Sequence, residues 1–391
     1  MQLPARLAVT IGSFALVLGG SMTAANAESV ASDVVGHLYV NDNTAGMNTV
    51  AGFDRHADGS LSPIAGSPFA AGGAGTGAGI GSQGALQASS DGRFLLVADA
   101  GSSQVSVLRI LDDGSLRRLE DSPVASGGTS PVTIAVHDDL VFVGNSGAVS
   151  SYAGFRLNEG GHLRPLEDST FSLPSGTQPG DVLFSGDGTH LVGTRIGTGV
   201  RAATLPSEID SFSVNEDGHL SAAPGSPFAA QGAGPFGSEF RPTNSSQLFV
   251  SNAHDGPGNG TISAYDVTRN GILDPIDGSP FADKQTAPCW VEITHDGNFL
   301  FTVDTAVPSI SRFSIGADGT LTLLGSTPFK SPSGLGPEDA RLGPKGDNLW
   351  VVGSGAAKVS AFAVSGGSLA ELASSPTALP SGAHAVGIVV N

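Results

Sequence analysis

The sequence has one cysteine, few positive charges, and no long apolar run beyond its first residues. Cys289 is alone, so no internal disulfide can form and stability has to come from packing. Lys and Arg total 18 against 36 Asp and Glu, for a formal charge of −18. A surface this acidic repels phosphate backbones, which excludes nucleic acid as a partner. After residue 27 no apolar segment is long enough to cross a bilayer without charge or Gly-Pro interruption, so stable membrane insertion is excluded as well. Charged residues make up only 14%, but 39% are hydrophobic, enough for a core in a turn-rich chain with 56 Gly and 24 Pro.

The first 27 residues carry Arg6, an apolar run from Leu7 to Leu18, and Ala-Asn-Ala ending at Ala27. That pattern reads as a secretory signal peptide cleaved after Ala27, with 28–35 as a short linker and a secreted or extracytoplasmic mature protein.

The remainder repeats itself. DGSLSPIAGSPF, starting at Asp58, returns as DGSLRRLEDSPV at Asp113, DGHLSAAPGSPF at Asp217 and NGILDPIDGSPF at Asn270. The closing triplet begins at Ser67, Ser122, Ser169, Ser226, Ser279, Thr327 and Ser375, seven starts spaced 47 to 57 residues apart. Each triplet follows an Asp-Gly, Asn-Gly or Gly-Gly pair suited to a tight hairpin. Before the pair lies an alternating run such as QVSVLRI or KVSAFAV, expected to be a half-buried strand. Before that comes a denser run such as FLLVAD or LVFVGN, expected to be covered on both faces. A further strand, ending in its own turn at Asp91-Gly92 or Asp296-Gly297, completes the unit.

Four antiparallel strands in this repeat length make a propeller blade. The seven repeats predict an all-β, seven-bladed β-propeller over 36–391, as a single domain. The mature chain starts at a second strand, GHLYVND, and finishes with a lone innermost strand, HAVGIVVN. Ala383 to Asn391 is therefore expected to pair with Gly36 to Asp42, so that both termini build blade 7 and no free edge remains. The recurring phrase then reads as a hairpin, an outer strand and an exit toward the next blade, with Pro on an outer edge.

Long loops over a rigid scaffold are where function concentrates. They fall at Ala70 to Ser82, Thr194 to Ser207, Ala229 to Pro235 and Ala253 to Gly260. The innermost strands start on that loop face and line the central channel. Aligned on a shared Pro or Gly, they place Asp181, Trp290, Asp339 and His384 at one level, and Gln87, Glu239, Glu292 and Arg341 at the next. Two carboxylates and a guanidinium in a confined channel can do acid–base work: a carboxylate activates water while Arg steadies an oxyanion. The same trio can equally be a structural ion cluster. His254-Asp255 reads as a turn, and Cys289 as a small buried residue.

The repeated SSDGRFLLVAD and THDGNFLFTVD hairpins, with GTQPGDVLFSGDG and QTAPCWVEITHDG, resemble the seven-bladed lactonase propellers related to bacterial 6-phosphogluconolactonase and the fungal carboxy-muconate lactonizing enzyme. They look like an exported actinobacterial branch. The resemblance implies a His, Arg and Glu cluster on the inner strands that opens or forms a lactone. Glu239, Glu292, Arg341 and His384 occupy positions where such a cluster would sit, with Asp181, Trp290, Asp339 and Gln87 as substrate contacts. The chain departs from the family at Ser82-Gln83-Gly84, where relatives often carry His-Ala-His. Two functions follow: an exported hydrolase of a lactone or small carboxylate ester, or a non-catalytic propeller binding a ligand or protein on its loop face. No metal or cofactor is expected, and the protein is expected to be a monomer.

Overall fold

The computed structural model describes residues 33–197 and 205–391. The signal peptide assigned to 1–27 lies outside them, as does most of the 28–35 linker. The first strand begins inside that linker, at Val34.

The described residues form seven antiparallel sheets and only one short 3-10 turn, Gly147–Val149. The first full blade shows the pattern: Leu86–Ala88 innermost, then Phe94–Asp99, Gln104–Ile110 and, outermost, Leu116–Arg118. The other innermost strands are Pro131–His137, Pro179–Phe184, Pro235–Arg241, Pro288–Ile293, Pro337–Leu342 and Val386–Val390. Each touches the next, and Val386–Val390 touches Leu86–Ala88, so the ring closes. Blade 7 joins the first and last of the described strands, with Val386–Val390 pairing antiparallel to Val34–Asn41. Backbone bonds continue the pairing through His384 to Asp42 and Asn391 to His37. The Arg55 guanidinium fastens the joint by donating to the Asn391 carbonyl at 2.6 Å.

The core is a set of seven apolar wedges, one between each pair of neighbouring blades. This explains the dense second strands. Along FLLVAD, Phe94, Leu96 and Ala98 pack toward blade 2, while Leu95 and Val97 pack toward blade 7. Successive side chains point to opposite faces, so a strand sandwiched between two blades has to be apolar throughout. All six residues are buried.

The third strands differ from expectation. Their alternation does not mark exposure, because both faces are covered by neighbouring blades. The polar positions Ser106, Ser211, Ser263, Ser311 and Ser360 are buried, and they make internal hydrogen bonds such as Ser106 Oγ to Asp99 at 2.5 Å.

The recurring phrase also has a more specific role than an exit. The outermost strand breaks after three residues, turns, and resumes against the same third strand: Leu116–Arg118 and Val124–Ala125 both pair with Gln104–Ile110. At the break the triplet serine fills the gap in the ladder. Its hydroxyl accepts the N–H of Gly52, Val107, Ser211, Ala264 or Ala361 at 2.7 to 3.0 Å. Those five serines precede cis prolines. Blade 5 has a Thr at this point, and its outer strand runs unbroken over Leu321–Pro328.

Candidate active site

The innermost strands have partners on one edge only, so their channel-facing N–H groups need acceptors from elsewhere. Much of the polar lining of the channel meets that need. Thr133 Oγ1 accepts the Val182 N–H at 3.2 Å. Asp181 Oδ2 accepts the Ser238 N–H at 3.1 Å and its hydroxyl at 2.7 Å. Glu292 Oε1 accepts the Leu342 N–H at 2.8 Å. Asp339 accepts the N–H groups of Gly84 at 3.2 Å and Ala340 at 2.9 Å. In the first three cases a side chain of one blade closes the open edge of the next.

Burial in this ring disfavours charge. The Asp181 carboxyl is pushed up to about 7 by burial, with Ser238 opposing and the Asp339 charge adding. Asp339 is raised by burial against the pull of Arg341. Glu292 is pushed up to about 7 by burial, again with Arg341 opposing. Burial works against the Arg341 charge too, but Glu292, Asp339, Glu239 and Asp181 more than restore it, and its pKa rises. All four acids therefore act on one guanidinium. The direct contact is Arg341 Nη1 to Glu292 Oε2 at 3.3 Å.

Glu239 stands apart from the other three. Burial raises its pKa well above the ordinary carboxylate range, and the Glu292 charge raises it further. Protein surrounds it, yet part of its side chain remains open, and it makes no hydrogen bond among the described residues. It is the uncommitted carboxylate of the ring. Arg341 also keeps 25% of its side chain exposed, and Gln87 is half-buried beside the same channel.

His384 does not join this group. Counting from the Gly anchor aligned it with Asp339, but the β-ladder shows otherwise. The second-strand residues Leu96, Phe249 and Trp350 face Gln87, Glu239 and Arg341, and the equivalent Tyr39 faces Val389. Val389 rather than Val386 thus stands at the level of Arg341, three residues later than the Gly anchor gives, so His384 precedes the channel segment and is exposed. Gly387 adopts φ +73°, and a Cβ there would stand 2.5 Å from the Leu86 nitrogen.

Trp290 is buried rather than presented at the channel mouth. Its indole N–H donates to the Ser82 carbonyl at 3.0 Å, and its ring meets Phe236 edge-on at 5.2 Å. Cys289 is buried with its thiol pushed up to about 12, which makes it unreactive. Asp255 ties its loop together by accepting the Ala233 N–H at 2.8 Å.

The feature that sequence reasoning missed is what Ser82-Gln83-Gly84 does. This tripeptide crosses the channel and plugs it at the loop face. Gln83 N–H donates to the Gly180 carbonyl at 2.8 Å, and Gln83 Oε1 accepts the Val291 N–H at 3.1 Å. Gln83 Nε2 reaches the carbonyls of Ser238 and Val291 at 3.4 and 3.3 Å. Ser82 Oγ donates to Val132, and the Gly84 carbonyl accepts the Ile134 N–H at 3.0 Å. One tripeptide thus reaches blades 2 to 6. A trace of it was present in PFGSEFR: a Cβ on Gly237 would stand 2.1 Å from Gln83 Oε1, so the plug requires glycine there.

The fold agrees with known structures. The chain superposes on a candidate 6-phosphogluconolactonase of Bacteroides uniformis with TM-score 0.71 and 18% identity, covering 90% of this chain and 98% of that one. It superposes on a periplasmic gluconolactonase of Pseudomonas aeruginosa with TM-score 0.70 and 17% identity, covering 90% and 98%. Likeness at that identity speaks for the fold alone. Residues 38–184 and 202–384 match the family described as lactonase, 7-bladed beta-propeller, and on that match the chain belongs to the seven-bladed lactonase propeller family.

Proposed function

We propose that this protein is an exported hydrolase that opens an uncharged lactone in the channel beneath the plug. The observation that carries the reading is Glu239, a carboxylate with no hydrogen bond among the described residues, a raised pKa and a guanidinium in its surroundings. Burial that raises a carboxylate above its usual range also makes its ionised form a stronger base than an exposed carboxylate. In its ionised form Glu239 takes a proton from water, the resulting hydroxide adds to the lactone carbonyl, and Arg341 stabilises the tetrahedral oxyanion. Collapse breaks the ring C–O bond, and the departing alkoxide recovers the proton from Glu239 to give a hydroxy acid. Glu292 holds Arg341 in place and does not touch the substrate.

The one guanidinium of the channel among the described residues is already paired with Glu292, so a phosphate brought beside it would be buried without a counter-charge of its own, which favours a neutral lactone over a phosphorylated one. Export, read from the first 27 residues, supports the same preference, because sugar phosphates are cytoplasmic. The solved gluconolactonase of similar fold lends the substrate class.

The test is turnover of neutral and phosphorylated lactones by the mature protein and by Arg341→Ala. The reading expects neutral lactones to be preferred and the variant to lose about two to three powers of ten in turnover with its fold kept. Full activity in the variant, or a lost fold with unchanged turnover per folded molecule, makes the trio an ion cluster only. The acid limb of the pH–rate profile should lie above the usual carboxylate range and vanish in Glu239→Gln.

A further inference from the structure

A cleft of about 700 Å³ opens on the loop face between blades 1 and 4. Its wall includes the stretch from Ala78 to Gly81, which leads directly into the buried plug, and none of Asp181, Glu239, Glu292 and Asp339 lines it. None of the described residues that line it is Asp, Glu, Lys or Arg, although the chain carries 36 acids and 18 bases. A neutral cleft in so charged a protein selects against ions, because an ion entering it would lose hydration and gain no counter-charge.

The wall is nonetheless rich in neutral hydrogen-bonding groups. The hydroxyls of Ser130 and Thr177 make no hydrogen bond among the described residues, and both line the cleft. Gln178 is exposed, and its amide nitrogen makes only long contacts of 3.4 and 3.3 Å to Ile80 and Gly81, leaving its oxygen available. His254 closes the far side. Its Nδ1 is buried against Gly234 without a partner. A bare lone pair is less costly there than an unpaired N–H, so the proton belongs on Nε2, where it can be donated. Phe236, Ile80 and Ile196 supply apolar surface among these groups.

Hydroxyls, a primary amide and an imidazole donor over apolar patches, with no charge, match one ligand chemistry. We propose that this cleft binds an uncharged, polyhydroxylated ring of monosaccharide size, at a site distinct from the channel carboxylates. The volume is within the range of small-ligand pockets. Binding here does not depend on hydrolysis in the channel.

The experiment is a titration of the mature protein with D-glucose, D-galactose and D-xylose as neutral probes and D-gluconate as the anionic counterpart, followed by ligand-observed NMR. At least one neutral sugar should bind saturably, and gluconate should bind at least about tenfold more weakly. Ala78→Trp, a substitution at an exposed position with ordinary backbone geometry, should fill the cleft and abolish binding without changing the melt. Gln178→Ala should weaken binding while leaving the fold intact. Arg341→Ala should bind sugar normally, which separates this site from the hydrolytic one. No saturable binding of any neutral probe up to about 50 mM, gluconate binding as tightly as sugar, or full binding in both cleft variants overturns the proposal.

Discussion

Asp181→Asn should make the protein more stable at pH 8 and no more stable at pH 4.5. Asp181 is 3% exposed, and its carboxyl is pushed from 3.8 up to about 7. A carboxyl whose pKa is raised on folding is favoured in its protonated form. Its contribution is therefore fully present below the unfolded value near 4, and is lost as pH rises through the folded value near 7. A shift of about three units corresponds to a ceiling of about 4 kcal/mol at pH 8. Asn keeps an acceptor for Ser238 but turns an amide N–H₂ toward Thr133 Oγ1, which already accepts from Val182. Allowing about 1 to 2 kcal/mol for that rearrangement leaves a net gain of about 2 kcal/mol at pH 8. Near pH 4.5, less than one unit above the unfolded value, only about 1 kcal/mol of that ceiling applies, and the rearrangement cost offsets it. The assay is chemical denaturation of both proteins at the two pH values. A variant destabilised equally at both would mean that Asp181 is ionised and held by Arg341, and the desolvation reasoning would fail. The parent protein should itself weaken between about pH 4 and 7, because Asp42, Glu292 and Glu338 are pushed up to about 7 by burial as well. The turn residues Asp58, Asp113 and Asp318, lowered by hydrogen bonds from Ser60, Ser115 and Thr320, work in the opposite direction and weaken the fold only below about pH 4.

Gln83→Ala leaves the buried Val291 N–H without its acceptor; thermal melting should show a loss of about 2 to 3 kcal/mol, and an unchanged melt would mean that the plug does not brace the ring. Ser122→Ala removes the acceptor of the Val107 N–H in the broken outer strand, for an expected loss of about 1 to 2 kcal/mol; no loss would assign that gap to solvent.

Blade number, strand order and terminal closure were legible because they rest on turn chemistry and on apolar spacing, both of which repeat. Asp58-Gly59 and Leu61 mean the same thing in every copy. The third strands misled for a reason of geometry. Ser106 alternates with Val105 and Val107 in sequence whether the serine meets water or Asp99, and only the neighbouring blade decides. The channel trio was legible by register, since Glu239, Glu292 and Arg341 stand opposite Phe249, Phe301 and Trp350. His384 was misplaced because the last inner strand has no proline to anchor it, and counting from Gly382 runs three residues ahead of the register that puts Val389 at the level of Arg341. The plug was invisible because its partners, Gly180, Ser238 and Val291, are contacted through backbone atoms that every residue possesses.

The joint in blade 7 bears on the order in which the molecule can assemble. Val34–Asn41 is made early and has no innermost neighbour until Val386–Val390 is made, and the His37 to Asn391 bond spans 354 positions. Blades 1 to 6 are each complete within a contiguous piece of chain and can form by local hairpins, whereas the last seam carries nearly the whole entropy of loop closure. On topology alone, closing this seam is expected to be the slow step, and Val34–Asn41 keeps an open edge until it closes. A circular permutant with the ends joined across that seam and new ends at a blade boundary would turn the longest-range pairing into a short hairpin, so the same ring would form by a route made only of neighbours.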